Sequence, residues 1–385
     1  MSSPKPSVAL SVRRSEHLKR VPVSLGERSY EIVIGSGILS TIADPVKGLG
    51  LGPKMMIITS TNLWSLYGRT VQDSLAARGF DISVAHMNDD EESKSVQTVM
   101  SLYDRLVENE LDRNSGIIAV GGGVVGDVAG FAAATFMRGI HLIQVPTTLL
   151  AKVDSSIGGK TGFNLPTGKN LVGAFHQPSL VWADVSTLRT LSERELRSGL
   201  AEVIKYAVIA DPGLIDAIEE SVRSLSKASN ETLVEIISRC CSIKARIVGQ
   251  DEREHGVRSI LNYGHTVGHA LEALTDYKYY THGEAIAIGM IAAARIAHEI
   301  SATDQNTVDI QERLISAAGL PTRIDSSVGW QSIVHQLVKD KKRLAGRTRW
   351  VLPKTIGEVF LTDEVPLNVV PRVLKNMTTP MESKA

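Results

Sequence analysis

Three histidines and one glutamate are the first residues whose types and spacing suit chemistry. His265 and His269 lie four residues apart within Asn262–His269, so on a helix their side chains project from one face, as metal ligands often do. His282 is a third candidate, and Glu202 adds a carboxylate to an otherwise apolar helical pattern. A histidine pair alone is more often structural, but three histidines and a carboxylate among apolar helices favour a divalent metal site.

A run of glycines is the second candidate. Residues 121–126 read GGGVVG, which fits the pattern G-x-G-x-x-G between a strand-like and a helix-like segment. Without β-carbons, the backbone can approach the pyrophosphate of a dinucleotide at a helix N-terminus. However, the motif lies far from the first strand, and no acidic residue follows it about 20 positions later. Tight packing of a strand against a helix is an equally good explanation of these glycines.

The third candidate is a glycine-rich segment, residues 154–173, which carries Lys160, Lys169 and Asn170 and is predicted to be a loop. Asp154 replaces the first glycine of a phosphate-binding loop, which argues against a nucleoside triphosphatase. Cationic and amide groups on such a loop suit an anionic, hydroxylated ligand, although a solvated surface loop is the alternative. Together the three candidates indicate a dinucleotide, a divalent metal and an anionic substrate, hence alcohol oxidation or a related elimination.

The elements that must position these residues fall into two predicted domains. From residue 20 to 190, short β-branched runs alternate with helical stretches, which is typical of an α/β domain with a largely parallel sheet. The predicted strands are 21–25, 30–35, 54–60, 81–87, 115–122, 141–146 and 180–185, with crossover helices at 70–78 and 96–106. Residues 1–19 are rich in Ser, Lys and Arg and are predicted to form a disordered basic tail.

The second predicted domain, residues 191–385, is mainly helical. Apolar residues recur there at three- and four-residue spacing, as expected for helices with one buried face. The predicted helices are 193–209, 231–248, 266–274, 283–299 and 306–318, followed by a hairpin near 348–360.

Length and charge limit the class of protein. The 385 residues exceed what one hydrophobic core usually supports, which favours two domains. Lys+Arg and Asp+Glu both number 42, so no net field draws the chain to nucleic acid or to an anionic membrane. The longest apolar stretch, residues 117–137, contains Asp127 and five glycines, unlike a membrane-spanning helix. We therefore expect neither nucleic acid nor a membrane as a partner.

The two cysteines indicate the compartment. Cys240 and Cys241 are adjacent, so no disulfide framework can be built from them, and a reducing compartment is expected. This predicts the cytoplasm. The plastid stroma is the alternative, because the basic N-terminus is compatible with the remnant of an organelle transit peptide.

With these motifs in view, the chain resembles the 3-dehydroquinate synthase family of sugar phosphate cyclases. The resemblance extends from about residue 21 to residue 357. It is dense in GGGVVGDVAGFAAATFMRG, QVPTTLLAKVDSSIGGKTGFNLPTGKNLVGAF, GLAEVIKYAVI, and LNYGHTVGHALE followed by HGEAIAIGM. It implies an α/β N-terminal Rossmann-like domain that binds NAD and an all-α C-terminal domain that carries zinc, with cobalt as a substitute. It also implies a homodimer.

The resemblance implies three groups of site residues. The implied metal ligands are Glu202, His265 and His282, whereas His269 becomes an active-site histidine beside the metal. The residues implied in catalysis and substrate binding are Lys160, Lys205, Arg258, Asn262, His269, Arg138, Asp154, Lys169, Asn170, Lys244 and Lys341, the last favoured over Lys342. The residues implied in NAD binding are Glu91, Lys94, Gly122, Gly123, Asp127, Thr147 and Thr148.

The implied activity is that of a carbon–oxygen lyase in the shikimate pathway. Its sugar phosphate substrate is 3-deoxy-D-arabino-heptulosonate 7-phosphate. NAD oxidises a ring alcohol that zinc polarises, and the new ketone acidifies the neighbouring carbon so that phosphate leaves. NADH then returns the hydride, the ring opens, and an intramolecular aldol step gives 3-dehydroquinate. The protein mainly orients the substrate and stabilises charge.

Other interpretations stay open. A cyclase acting on sedoheptulose 7-phosphate belongs to the same family. A glycerol dehydrogenase-like, NAD-dependent alcohol dehydrogenase would share fold and metal, but gives no reason for the cations Lys160, Lys205, Lys244 and Arg258. An NAD-sensing protein without activity would be expected to have lost the metal ligands, which are intact.

Two residues depart from the family pattern. Ser60 stands where many members have an aspartate that holds the adenosine ribose, which predicts altered NAD affinity. Lys152 occupies a position that is usually uncharged, and nothing in the sequence explains it.

Overall fold

The computed structural model describes residues 18–222, 228–343 and 348–379. These residues form two compact units. Unit 1 runs to Thr190 and includes Leu233–Gly249, and unit 2 consists of Leu191–Thr232 and the residues from Gln250 onward. The first boundary coincides with the predicted one, but Leu233–Gly249 belongs to unit 1 although it lies inside the predicted second domain. Most of the predicted basic tail lies outside the described residues.

Unit 1 is built on a seven-stranded sheet with the order β1-β2-β9-β6-β5-β3-β4. Strands β1 and β2 pair antiparallel, and all the other neighbouring pairs are parallel. The sheet strands are β1 (Lys19–Val23), β2 (Tyr30–Gly35), β3 (Lys54–Thr59), β4 (Asp81–His86), β5 (Gly116–Gly121), β6 (His141–Pro146) and β9 (Leu180–Asp184). The seven predicted strands are thus confirmed, with small shifts at their ends.

Helices cover both faces of this sheet. On β3, Met55 and Ile57 belong to one core, whereas Met56 and Ile58 belong to the core on the opposite face. Burial on both faces explains why the central strands read as continuous apolar runs. The helices with residues in unit 1 are α1 (Ala43–Gly48), α2 (Thr61–Leu63), α3 (Arg69–Ala76), α4 (Val96–Glu108), α5 (Gly123–Thr135) and most of α8 (Asn230–Gln250).

The glycine-rich segment after residue 154 is not the loop that its composition predicts. It forms a separate antiparallel hairpin of β7 (Lys160–Leu165) and β8 (Gly168–Phe175). Its glycines allow the two strands to approach each other. A β-carbon on Gly162 would lie 2.4 Å from the Val172 carbonyl oxygen, and one on Gly173 would lie 2.4 Å from that of Thr161. The glycines that suggested a loop therefore serve strand packing.

Unit 2 is helical apart from the predicted hairpin, which is confirmed as β10 (Trp350–Thr355) and β11 (Glu358–Thr362). The helices are α6 (Glu193–Ile209), α7 (Leu214–Val222), α9 (His265–Leu274), α10 (His282–Glu299), α11 (Gln305–Ala317), α12 (Trp330–Arg343) and α13 (Val369–Met377). Helix α10 contacts α6, α9 and α11. Across the described residues, no helix combines the length and the apolar character needed to cross a bilayer.

Glycines bring the helices of unit 2 close together. A β-carbon on Gly283 would lie 2.1 Å from the carbonyl oxygen of Ser198 on α6. One on Gly289 would lie 1.9 Å from the carbonyl oxygen of Gly264, which directly precedes α9. The backbone of α10 therefore touches the backbones that carry Glu202 and His265.

Replacing Gly289 with alanine is expected to destabilise unit 2, because the new methyl group meets backbone atoms that cannot rotate away. Overpacking of this kind costs about 3 kcal/mol at the upper end of its usual range. Urea unfolding followed by circular dichroism measures the loss. Ser316→Ala, at an exposed position of α11, is the matched control and should change stability by less than about 0.5 kcal/mol. An unchanged Gly289→Ala variant would contradict the close contact.

Candidate functional site

The metal ligands implied by the resemblance come together in unit 2. One donor atom from each of Glu202, His265 and His282 lies within 4.8 Å of the other two. Nε2 of His282 is 3.4 Å, and Nε2 of His265 3.7 Å, from Oε1 of Glu202. The carboxylate is fully buried. His269 lies outside this group, with its ring centroid 5.2 Å from that of His265.

Local structure fixes where the two helices that carry the histidine ligands begin. Gly264 has φ +79°, a left-handed conformation that favours glycine, and it places His265 at the first position of α9. A capping box of Thr281 and Glu284 places His282 at the first position of α10. Glu202 lies in the middle of the buried helix α6.

The outer nitrogen of each histidine has a partner that orients the ring. Nδ1 of His265 is 3.0 Å from the carbonyl oxygen of Tyr263, and Nδ1 of His282 is 3.4 Å from Oε2 of Glu272. Contacts of this kind fix the tautomer that directs Nε2 toward a metal. The donor set therefore fits a divalent metal: two imidazoles and one carboxylate are a usual zinc set with a position left for substrate.

The same surroundings shift the protonation of the two histidines. Burial lowers the pKa of His265 to about 3, so its ring is neutral, as a ligand must be. Burial also opposes the charged form of His282, but hydrogen bonds from its ring to Glu202 and Glu272 outweigh this and raise its pKa to about 10. Metal binding to such a set releases the proton that the carboxylates hold on His282.

Lys205 shares the buried side of this cluster. Its ammonium group is 1% exposed and forms a close ion pair with Glu202, one helical turn earlier on α6. A buried cation beside a buried carboxylate compensates part of the desolvation cost of both groups. This ion pair between residues three apart on α6 therefore lies inside the unit and not on its surface.

The glycine motif forms a tight turn between β5 and α5. Gly122 caps α5 without a side chain, and a β-carbon there would lie 3.1 Å from Cγ2 of Thr148. The amide of Thr147 donates to the carbonyl of Gly121, while its buried hydroxyl has no hydrogen-bond partner among the described residues. A glycine turn at a helix N-terminus beside an unsatisfied hydroxyl fits the phosphates and ribose of a dinucleotide.

Residues implied in NAD binding are connected to residues implied in substrate binding. Lys94 is 5% exposed, and its Nζ lies 2.8 Å from Oδ2 of Asp127 and 2.7 Å from Oδ1 of Asn170. Burial raises the pKa of Asp127, and the Lys94 ammonium opposes that shift. Glu91 lies 3.3 Å from Nζ of Lys169. The β7–β8 hairpin is thus attached by hydrogen bonds and by the Lys169–Glu91 ion pair to the segment before α4.

Sequence reasoning missed two residues in these networks. The side chain of Asn164 donates to Glu91 at 2.7 Å and accepts from the amide of Asn170 at 2.9 Å. Glu272 holds the outer nitrogen of His282. In the sequence, Asn164 and Glu272 are single polar residues in ordinary surroundings. One signal could have indicated Glu272: it is a carboxylate on the buried face of α9.

Another pair of implied substrate residues lies at the end of a short π-helical turn, Ala151–Ser155. Nζ of Lys244 on α8 lies 2.7 Å from Oδ1 of Asp154 and 2.7 Å from its carbonyl oxygen. The thiol of Cys241, one helical turn earlier, donates to the carbonyl of Lys152 at 3.4 Å. These bonds explain why Leu233–Gly249 belongs to unit 1.

The remaining implied residues have different surroundings. Arg258 is 1% exposed, and its guanidinium donates to the carbonyl of Glu252. Nδ2 of Asn262 donates to Glu254 at 2.6 Å. Arg138, exposed, has φ +69°, a costly conformation for arginine. Lys160 is also exposed. The side chain of Lys341 lies outside the described residues.

The two departures from the family pattern both lie in unit 1. Ser60 caps α2, and its hydroxyl donates to Asp89 at 2.9 Å. A carboxylate therefore does lie beside Ser60, but it belongs to another segment of the chain. Lys152 is fully buried, and no ion pair of its ammonium group occurs in the described part of the chain.

Lys152 makes stability depend on pH. Burial lowers its pKa to about 7, although Asp184 and Cys241 oppose the shift, whereas an unfolded lysine titrates near about 10.4. The folded protein therefore binds fewer protons than the unfolded chain above pH 7, and stability rises with pH in that window. Relative to Lys152→Met, the wild type should gain about 2 kcal/mol of unfolding free energy between pH 7 and pH 9. Parallel pH dependence in the two proteins would contradict the lowered pKa.

Comparison with solved structures gives the class of protein. A 2-deoxy-scyllo-inosose synthase, solved with carbaglucose-6-phosphate, NAD+ and Co2+, has a TM-score of 0.84 and 29% identity, over 94% of this chain and 100% of that one. The 2-epi-5-epi-valiolone synthase from Streptomyces hygroscopicus, solved with NAD+ and Zn2+, has a TM-score of 0.83 and 26% identity, over 92% and 98%. The predicted fold, a Rossmann-like domain followed by a helical one, is confirmed as that of the sugar phosphate cyclases.

Sequence comparison gives the family. The sequence-family models of the 3-dehydroquinate synthase N-terminal and C-terminal domains match residues 84–198 and 199–343, respectively. The 3-dehydroquinate synthase of Nostoc punctiforme is 47% identical over 359 residues, which cover 93% of this chain and 99% of that protein. The chain belongs to the 3-dehydroquinate synthase family.

Proposed function

We propose that the protein converts 3-deoxy-D-arabino-heptulosonate 7-phosphate to 3-dehydroquinate and phosphate, the lyase reaction of its family in the shikimate pathway. The observation that carries this proposal is 47% identity over 93% of the chain to an enzyme of that name. The Glu202–His265–His282 cluster supports it, because a protein that had lost the activity would have no reason to keep three converging ligands.

The cofactors we propose are NAD and one divalent metal, with zinc as the metal and cobalt as a substitute. Glu202, His265 and His282 would hold the metal, and the related structures solved with NAD+ and Co2+ or Zn2+ support both groups. When bound, the metal polarises a ring alcohol of the substrate, and NAD accepts and later returns one hydride.

The residues we assign to NAD share the edge of the sheet around the glycine turn. The glycines allow close approach of the backbone, and the buried Lys94 side chain forms an ion pair with Asp127. The proposed set is Glu91, Lys94, Gly122, Gly123, Asp127, Thr147 and Thr148.

The residues we assign to the substrate are mainly donors for its phosphate, carboxylate and hydroxyl groups. Lys205 and Arg258 are cations with almost no exposure, so a bond from either to an anion is strengthened by the surrounding low dielectric. His269 is exposed next to His265 and is the residue proposed to take up or give a proton. The other proposed contacts are Arg138, Asp154, Lys160, Lys169, Asn170, Lys244, Asn262 and Lys341.

Assembly and location are also proposals. We expect a homodimer, as the family resemblance implies. We expect the cytoplasm, with the plastid stroma as the alternative, on the basis of the two adjacent cysteines and the basic N-terminus.

The test is an assay of phosphate release from the heptulosonate phosphate in the presence of NAD and zinc. Phosphate and 3-dehydroquinate should form in equal amounts, and absorbance from NADH should not accumulate, because the overall conversion is redox-neutral. NADH produced in proportion to product would instead favour the dehydrogenase. Turnover of sedoheptulose 7-phosphate alone would favour the other cyclase.

A further inference from the structure

The unexplained lysine of the sequence, Lys152, holds two segments of unit 1 together. Its side-chain nitrogen donates to the carbonyl oxygen of Pro146, the last residue of β6, in a very short hydrogen bond. It also donates to Oγ1 of Thr187 at 2.8 Å. The side chain thus bridges the end of a central strand and the 3-10 turn Val185–Thr190 that follows β9.

Thr187 continues this bridge back to the same strand end. Its hydroxyl lies 3.0 Å from the carbonyl oxygen of Thr147 and 3.0 Å from that of Asp184. Because that hydroxyl donates to a carbonyl, it receives the hydrogen bond from Lys152 through a lone pair. Consecutive carbonyls of Pro146 and Thr147 are therefore held from one side by a single connected network.

The segment held in this way adjoins the glycine turn. The amide of Thr147 donates to the carbonyl of Gly121 at 2.9 Å, and Thr148 packs against Gly122. The amide of Lys152 donates to the carbonyl of Thr148 at 3.0 Å, so the backbone of Lys152 fixes the same segment from its other end. Any movement of residues 146–148 would change the spacing between the two threonines and the glycines.

Placing a lysine here has a cost. An ammonium group that is fully buried without an ion pair loses its hydration, and hydrogen bonds compensate part of that loss. Asp184 is the carboxylate whose charge acts on Lys152. It already accepts hydrogen bonds from the amides of Gly37 and Leu39, at 2.9 and 3.1 Å. An apolar side chain would avoid the cost, but it would leave the carbonyl of Pro146 without this donor.

We infer that Lys152 is a positioning residue for NAD: through Pro146 and Thr187, its side-chain nitrogen fixes residues 146–148 against the glycine turn. The inference rests on the proposed function, since Thr147 and Thr148 are assigned to NAD there. Lys152 itself need not touch NAD. Its contribution is to spare NAD the cost of ordering this segment on binding.

Two variants of nearly equal size separate the hydrogen bonds from the volume of the side chain. Lys152→Met removes every donor, whereas Lys152→Gln keeps two N–H donors without charge. NAD is titrated into the full-length proteins by calorimetry. Lys152→Met should raise the Kd for NAD about tenfold, the effect of losing about one good hydrogen bond, and Lys152→Gln should stay within about threefold of the wild type.

Steady-state kinetics distinguish positioning from general loosening of the unit. At saturating NAD, kcat and the KM for the sugar phosphate should stay within about twofold of wild type in both variants, while the KM for NAD rises in Lys152→Met. An equal rise in the KM for NAD in Lys152→Met and Lys152→Gln would overturn the inference. A rise in the KM for the sugar phosphate as large as the rise in the KM for NAD would also overturn it.

A second pair tests the same network if Lys152→Met does not fold. Thr187→Val removes the hydroxyl at similar volume and should weaken NAD binding, whereas Thr187→Ser keeps the hydroxyl and should not. Unchanged binding in Thr187→Val would overturn the inference. If the wild type binds NAD and releases phosphate, but Lys152→Met or Thr187→Val binds NAD as tightly as the wild type does, the inference is overturned. The proposed function is then unaffected. A wild type that does not bind NAD overturns both.

Discussion

Replacing His282 with alanine is expected to abolish stoichiometric metal binding and to lower kcat/KM by at least about a thousandfold. Nε2 of His282 lies 3.4 Å from the Glu202 carboxylate, so the variant loses one of three converging donors. Charge stabilisation by a metal supplies several kcal/mol in a transition state, and each about 1.4 kcal/mol changes the rate tenfold. Metal content by mass spectrometry and phosphate release in the same preparation measure the two effects.

The control for this variant lies on the same helix. His298 is exposed in the last turn of α10, and His298→Ala should keep both metal and activity. Treatment with a chelator followed by zinc or cobalt should restore the wild type but not His282→Ala. If His282→Ala kept one metal ion per chain and full activity, the assignment of the three ligands would be wrong.

Replacing Arg258 with alanine is expected to reduce discrimination between the two sugar phosphates by about tenfold to a hundredfold. The heptulosonate bears a carboxylate that sedoheptulose 7-phosphate lacks, and we assign Lys244, Arg258 and Asn262 to the former. The Arg258 side chain is 1% exposed. Because water hardly reaches this position, the substrate carboxylate would not regain from water the hydrogen bond that it loses in the variant. Losing a charge-assisted hydrogen bond costs about 1.5–3 kcal/mol.

The measurement is the ratio of kcat/KM for the two sugars at saturating NAD and zinc. The wild type should favour the heptulosonate strongly, and Arg253→Ala, which removes an exposed arginine from the same segment, should leave the ratio unchanged. If Arg258→Ala lowered kcat/KM by the same factor for both sugars, this arginine would not recognise the carboxylate. A wild type that prefers the neutral sugar would contradict the proposed substrate while leaving fold and metal ligands unaffected.

The sheet was predictable because its signal is local. Strands such as β3 and β5 are almost entirely apolar runs, and burial on both faces requires such runs. The β7–β8 hairpin was not predictable, because glycines such as Gly162 and Gly173, taken singly, are typical of a loop. Their function emerges only when the two strands are adjacent.

The metal ligands show the same limit. Spacing within one helix relates His265 to His269, but the structure groups His265 with Glu202 and His282 from two other helices. That convergence depends on backbone contacts at Gly283 and Gly289, which no helical period encodes. The family resemblance supplied the three ligands, and neither it nor the spacing indicated Glu272 or Asn164.

The two adjacent cysteines give the protein an internal reporter of its own opening. Both thiols are fully buried on α8, and burial raises the pKa of Cys241 to about 12. Alkylating reagents attack the thiolate, so native molecules should be almost inert at neutral pH. Labelling therefore proceeds only through molecules in which α8 has become exposed, and its rate follows the population of those molecules. The loss of unit 1 structure can thus be timed by mass spectrometry in the unmodified chain, without an added dye or an engineered residue.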